Sequence, residues 1–405
     1  MSKRVLTPEQ PIEQEPERTR EEQLVADRPR LRDWLELRLG WWGFVRKNLD
    51  EKMPAGVGWW QTLGNLLLTL LVFQFSTGIA LAMYYSPSPE SAHASIQHIN
   101  DGLYFWGINV GIATRSLHVW GSTAIICVTV IHILRVFFWG SYKKPRELTW
   151  LIGVLIFFVM LAFSFTGYLL PWDQTAYWAT VVGTNIAGTV PVIGDALLVL
   201  IRGGHEVGSL TLTRFYAIHV MLLPGALLFL TGLHLMLVRK HHIAGPVKPQ
   251  KGPGVPFFPV QLFKDAVVVL FGVGLVVYLA AAFPPGLEAM ADPSGTDFAP
   301  RPEWYYLGLF ELLKIMPAGW EVLATVVVPG IVSLGMIFLP WLDRSDSRHP
   351  AMRQWIIVTG TFIILMIGLM TLKGILDTPV HAEPEQVESA VDANVTNLAD
   401  DVDPP

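Results

Sequence analysis

Residues 115–138 read RSLHVWGSTAIICVTVIHILRVFF, an apolar run whose only charged side chains are Arg115 and Arg135 near its ends. A helix of this length crosses about 30 Å of hydrocarbon. Two histidines, His118 and His132, lie inside it, where an ionisable side chain is costly and marks function by default. They are 14 residues apart. At about 100° and 1.5 Å per residue, that interval falls roughly 40° short of four turns and rises roughly 21 Å. Both imidazoles therefore leave one helix face at two depths. A second run, about 215–238, repeats the arrangement with His219 and His234, 15 residues apart. The overshoot of four turns is roughly 60°, and Pro224 between them can kink the helix and absorb it.

The rest of the chain suits such helices. Its 405 residues have a mean hydropathy of +0.42 and only 16% charged residues, against about 25% in soluble domains. Fifteen Trp and 21 Phe fit lipid interfaces or an aromatic-lined cofactor cavity. Candidate spans at about 59–85, 116–138, 149–170, 215–238, 266–283, 322–342 and 355–375 predict an all-α integral membrane bundle of seven transmembrane helices. The fifth is short. Residues 31–58 mix charge with Leu, Trp and Phe as an amphipathic surface helix does. A single cysteine, Cys127, excludes an intrachain disulfide and argues against a thiolate metal site from this chain. The N-terminus has no apolar core and does not read as a secretory signal.

Basic residues cluster in the loops after the even spans: Lys143, Lys144 and Arg146, then Arg239, Lys240, Lys248 and Lys251, then Arg344, Arg348 and Arg353. By the positive-inside rule the N-terminus is cytoplasmic and the C-terminus lies on the outer side. The expected parts are a disordered cytoplasmic tail (1–30), the surface helix with a four-helix domain (31–244), a Pro/Gly linker (245–259), a three-helix domain (260–376) and an acidic outer tail (377–405).

The second and fourth spans run the same way, so His118 pairs in depth with His219 on the outer side and His132 with His234 on the inner side. Two axial imidazoles with no further protein ligand fit haem iron best. Glycines repeat the interval: Gly64 and Gly78 in the first span, Gly153 and Gly167 in the third, each pair 14 apart. Small residues serve helix packing, but the match to the histidine interval favours clearance for two porphyrins. Arg115 and Arg135, each three residues from a histidine and towards its own membrane face, suit haem propionates; snorkelling to headgroups is the alternative.

These residues resemble the cytochrome b family of the cytochrome bc complexes. The matching phrases are RSLHVW…VIHILRVF, KKPRELTW, FTGYLLPWDQTAYWA, TLTRFYAIHV…GLHLMLVRK and RPEWYY. The 15-residue interval and the phrases KKPRELTW and LPWDQ are most similar to the chloroplast-type branch, whose haem part and three-helix part are separate chains; here the two are fused. That branch anchors an additional haem on a cysteine where this chain has Gln61, so no covalent extra haem is expected.

The resemblance implies two non-covalent b-type haems, a quinol oxidation pocket outside and a quinone reduction pocket inside. Pro302, Glu303, Trp304 and Tyr305 match the oxidation motif, with Glu303 taking a proton from quinol and Tyr168 lining the same pocket. Lys264 and Asp265 match residues near the reduction pocket, and Arg239 resembles a basic residue there; a helix cap with an interface anchor is the ordinary alternative for the Lys-Asp pair. The implied activity is proton-translocating quinol oxidation feeding a cytochrome c or a plastocyanin-like acceptor. The implied partners are a Rieske iron–sulfur protein, a c-type cytochrome, the bilayer of a bacterial inner membrane and a second copy of the chain, with no nucleic acid. Two rival classes remain at this point. A dihaem membrane anchor would not need the PEWY tetrapeptide, and a proton-relay transporter would not need the matched glycines.

Overall fold

A computed structural model describes residues 31–248, 250–294, 301–317 and 319–377. The tails expected at 1–30 and beyond residue 377 lie outside the described residues. Seven helices are long and apolar enough to cross a membrane: Trp59–Ala82, Val110–Phe138, Glu147–Tyr168, Ser209–His241, Phe257–Ala282, Leu323–Leu342 and Gln354–Leu376. All seven expected spans are present, and the chain is an all-α membrane bundle.

Three spans, the second, the fourth and the fifth, are longer than their hydropathy alone suggests. The second begins at Val110 because the side chain of Asn109 caps it, accepting from Ile112 N at 3.2 Å. The fifth begins at Phe257 and carries Lys264 and Asp265 inside the helix. Their polarity is met by partners: Lys264 Nζ donates to Val57 O, and Asp265 accepts from Asn65 of the first span and from Gln261 one turn earlier on its own. The surface helix at 31–58 is two helices, Leu31–Leu39 and Trp41–Leu49, divided at Gly40 with φ +58°. The end of the Pro/Gly linker is ordered, since Val255–Pro256 pairs antiparallel with Lys52–Met53.

In the fourth span a helix over Ser209–Ala217 passes into a π turn at Ile218–Leu222 and then into Leu223–His241, with Pro224 at its start. Pro224 has no N–H to donate back one turn, and the wider π turn takes up an extra residue. The 15-residue interval between His219 and His234 thus behaves like the 14-residue one opposite. The mismatch is absorbed by a π turn that contains His219 itself.

Three apolar clusters stack along the bundle. The central one joins Leu66, Leu70, Leu71, Ile125, Ile126, Met160, Leu227 and Val276 from five spans. Ile125 and Ile126 stand midway between His118 and His132, so this cluster separates the two histidine levels. A second cluster around Trp172, Tyr177, Leu212 and Phe215 closes the His118 end, and a third around Phe137, Tyr142, Trp150 and Leu339 closes the other.

Loops at the two ends join the four-helix and three-helix parts. At the His118 end, Ala291 N donates to Trp172 O and Gln174 N to Ala289 O, both at 3.0 Å. At the opposite end, buried Asp343 accepts from Tyr142 Oη at 2.5 Å and pairs with Lys143 Nζ at 2.9 Å, with Arg353 Nε 3.5 Å away.

Candidate haem and quinol sites

The His118 and His219 rings oppose each other with centroids 6.4 Å apart and planes at 73°. Neighbouring spans brace both. His219 Nδ1 lies 3.1 Å from Phe163 O and 3.2 Å from Thr166 Oγ1. A carbonyl only accepts, so Nδ1 carries the proton and Nε2 keeps its lone pair. His118 Nδ1 lies 2.9 Å from Thr77 Oγ1, whose own proton goes to Phe73 O at 3.0 Å. The hydroxyl therefore accepts from His118 and fixes the same tautomer. This is how a ligating imidazole is usually oriented, by the nitrogen that does not bind metal. The signal for these braces was present in the sequence and was missed: each threonine directly precedes a glycine of the repeat, Thr77-Gly78 and Thr166-Gly167.

The glycines have a direct steric reason. A Cβ on Gly167 would stand 2.6 Å from His219 Cε1, one on Gly78 3.2 Å from His118 Cε1, and one on Gly153 3.2 Å from His234 Cε1. Gly167 is therefore needed for imidazole clearance, and a side chain at Gly78 or Gly153 would crowd the ring opposite. Around Gly64 the Cβ position meets no protein atom within 4 Å.

Haem fits these residues. A metal held at about 2 Å by one nitrogen of each ring sets the ring centres about 6 Å apart, close to the observed separation. Among the described residues no group of three or more His, Cys, Asp or Glu could hold a metal ion. Such two-ligand sites suit a metal whose remaining ligands come from a macrocycle. At the second level His132 lies within electrostatic reach of His234, and its Nδ1 is buried without a partner.

The two arginines differ. Arg115 is buried and spends its terminal nitrogens on Asn100 Oδ1 at 3.1 Å, Pro285 O at 3.0 Å and Gly286 O at 2.8 Å. It pins the loop after the fifth span. Arg135 stacks over Trp139 at 4.6 Å and holds buried Nε and Nη2 atoms with no partner, as a cation awaiting an anionic group does.

Glu303 opens the turn into a short helix, Leu307–Ile315, with Tyr306 N donating to Glu303 O at 2.8 Å. Trp304 and Tyr305 pack onto the central cluster, and Tyr306 Oη donates to Leu161 O at 2.6 Å. Burial pushes the Glu303 carboxyl above its ordinary range, partly opposed by the Trp304 backbone N–H. Tyr168 lies within electrostatic reach of Glu303.

At the other end, Asp265 is 4% exposed and accepts from Asn65 Nδ2 at 2.5 Å and Gln261 Nε2 at 3.0 Å. Lys264 is engaged with the backbone at Val57. Arg239 pairs with Glu51, which also takes His242 Nδ1 at 3.1 Å. The three expected residues therefore divide into two groups, Lys264 and Asp265 against the first span and Arg239 against Glu51. Asn65, Gln261 and Glu51 gave no recognisable signal in the sequence.

Comparison with known proteins matches this geometry to one family. The family model described as cytochrome b/b6/petB matches residues 48–242, and that described as cytochrome b(C-terminal)/b6/petD matches residues 290–391. A cytochrome bc complex cytochrome b subunit of Chlorobaculum thiosulfatiphilum is 38% identical over 308 residues, covering 74% of this chain and 70% of that protein. Cytochrome b of Allochromatium vinosum is 32% identical over 385 residues, covering 86% of this chain and 89% of its own. Cytochrome b6 of Synechococcus elongatus is 39% identical over 215 residues, covering 53% of this chain but 98% of its own length. Among solved structures, a chain of a hyperthermophilic respiratory Complex III superposes with a TM-score of 0.77 at 27% identity, covering 86% of this chain and 92% of that one. With its b6-like part and petD-like part in a single polypeptide, this multi-pass membrane chain belongs to the cytochrome b/b6 family of electron-transport proteins.

Proposed function

We propose that this chain is the dihaem cytochrome b of a proton-translocating quinol oxidoreductase. In this reading it oxidises quinol at an outer site, carries one electron inward and reduces quinone at an inner site. The observation that carries the reading is the opposed His118–His219 pair, 6.4 Å apart, braced by Thr77 and Thr166 and cleared by Gly78 and Gly167. When bound, two b-type haems supply reversible one-electron transfer at two depths of the bilayer.

The residues have separable tasks. His118 and His219 would hold one haem, and His132 and His234 the other, both without covalent attachment. Arg135 would meet a propionate, and Gly64 would give room to a ring edge. Glu303, half-buried beside Tyr168, accepts a proton from the quinol hydroxyl; burial raises its carboxyl above the ordinary range, which strengthens it as a proton acceptor. Trp304 and Tyr305 fix its backbone against the central cluster, and Pro302 precedes it in the motif. At the inner end, Asp265 with Asn65, Lys264 beside Val57, and Arg239 with Glu51 are the candidates for quinone and its incoming protons.

The basic loops support a cytoplasmic N-terminus in a bacterial inner membrane. We divide the chain into a four-helix part at 31–244, a linker at 245–259 and a three-helix part at 260–376. The family fits a multisubunit complex, for which we assign a Rieske iron–sulfur protein and a c-type cytochrome as electron acceptors and a second copy of the chain as partner. The test is Glu303→Gln in the purified complex. Quinol oxidation falls with both haems retained if the assignment holds, and an unchanged rate rejects it.

A further inference from the structure

The last span, Gln354–Leu376, packs chiefly against the helix Leu307–Ile315, which follows directly from Pro302-Glu303-Trp304-Tyr305. Two glycines bring these helices close. A Cβ on Gly374 would lie 3.0 Å from Glu311 Cγ, and one on Gly308 would lie 3.0 Å from Thr371 Oγ1. Glu311 is sunk into this contact until only 1% of it is exposed. One carboxylate oxygen accepts from Lys314 Nζ and the other from Lys373 Nζ, each at 2.6 Å. On the near side of the tetrapeptide, Arg301 donates to Gly374 O.

A buried carboxylate is costly unless its charge is paired. Lys314, one turn along the same helix, already supplies a local cation. Lys373 belongs to a different span and also pairs with Asp377 one turn along its own helix, so its ammonium bridges that helix to the buried carboxylate. What Lys373 adds is a tether. With Arg301, it fixes both flanks of the Glu303 segment to one end of the last span.

We infer that Glu311 and Lys373 are positioning residues for the quinol site, docking the helix 307–315 on the last span and so fixing where the Glu303 carboxylate stands. This rests on the reading of Glu303 given above.

The test uses the purified complex carrying Glu311→Gln, Lys373→Met, Lys373→Arg or, as a separate control, Glu303→Gln. Haem is counted, and kcat and KM for quinol are measured. Displacing a reacting group by about 1 Å costs up to about 100-fold. Glu311→Gln and Lys373→Met are therefore expected to keep both haems and a KM within about twofold while losing about tenfold in kcat, with Lys373→Arg restoring most of it. Wild-type kcat in both variants, beside a Glu303→Gln that has lost it, overturns the inference and leaves the quinol-site reading standing. Loss of haem in Lys373→Met that Lys373→Arg does not rescue makes the pair a general prop and also overturns it. A fully active Glu303→Gln overturns the quinol-site reading and this inference with it.

Discussion

Gly167 of the third span lies directly against the imidazole of His219 in the fourth, so close that a methyl at Gly167 would stand 2.6 Å from Cε1. Real Cβ atoms do not approach that closely, and the ring is held at the adjacent Nδ1 by Phe163 O and Thr166 Oγ1. It has nowhere to retreat without losing the hydrogen bond that orients it. The glycine, the threonine before it and the histidine opposite are thus one unit repeated at Thr77, Gly78 and His118.

Gly167→Ala is therefore expected to disturb the His118–His219 site selectively. The expected outcome is loss or a shifted spectrum of one haem, with the other unchanged. Gly64→Ala gives the complementary result: the added methyl meets no protein atom. The fold should be unaffected while the inner haem is held less tightly, read as haem content against thermal stability of the same preparation.

Glu303 gives a pH prediction with a definite sign. Its carboxyl is raised from the ordinary 4.5, chiefly by burial. Proton acceptance needs the ionised form, so quinol oxidation should climb as pH rises through the raised pKa. Glu303→Gln should be slow and lack that limb. For folding, the native state favours the neutral acid. This group's contribution is present at low pH and is lost as pH rises from 4.5 through the raised value. A rate profile that is flat in the native protein over that window contradicts the assignment.

Arg115 is expected to act on the loop after the fifth span. Replacing it by Gln removes charged hydrogen bonds to Pro285 O and Gly286 O, each worth roughly 1.5–3 kcal/mol. Limited proteolysis should then cut between residues 284 and 294 much faster than in the native chain. A dominant role at a propionate would instead show as a shifted haem potential with native cleavage.

Asp343 is the only acid in a buried knot with Tyr142, Lys143 and Arg353 that ties the four-helix part to the three-helix part. Removing one member leaves cations buried without their counter-charge. Asp343→Ala should cost about 3–5 kcal/mol, seen as a lower Tm and as easier separation of the two halves after cleavage in the linker.

The sequence made some levels of this structure legible and hid others for physical reasons. The spans and the pairing of His118 with His219 followed from hydropathy and helical rise, which are local properties. The limits of the fifth span did not follow, because Lys264 and Asp265 look like an end in one dimension. They are interior once Val57 and Asn65 arrive from elsewhere and Gln261, one turn earlier on the same span, adds its amide. Pro224 marked the place where the fourth span departs from regular helix, but not that the departure would be a π turn containing His219. Arg115 was read by its distance from His118, whereas Asn100 and the Pro285–Gly286 carbonyls, far along the chain, decide what it holds. Glu311 and Lys373 carried no motif at all; only the packing of two helices makes them a pair.

The central claim is that each imidazole pair holds one haem, and a pyridine haemochrome assay on the purified chain tests it most directly. The account predicts two b haems per native chain, one in His219→Leu and one in His132→Leu. A native chain without haem, or a full complement surviving in both variants, contradicts it.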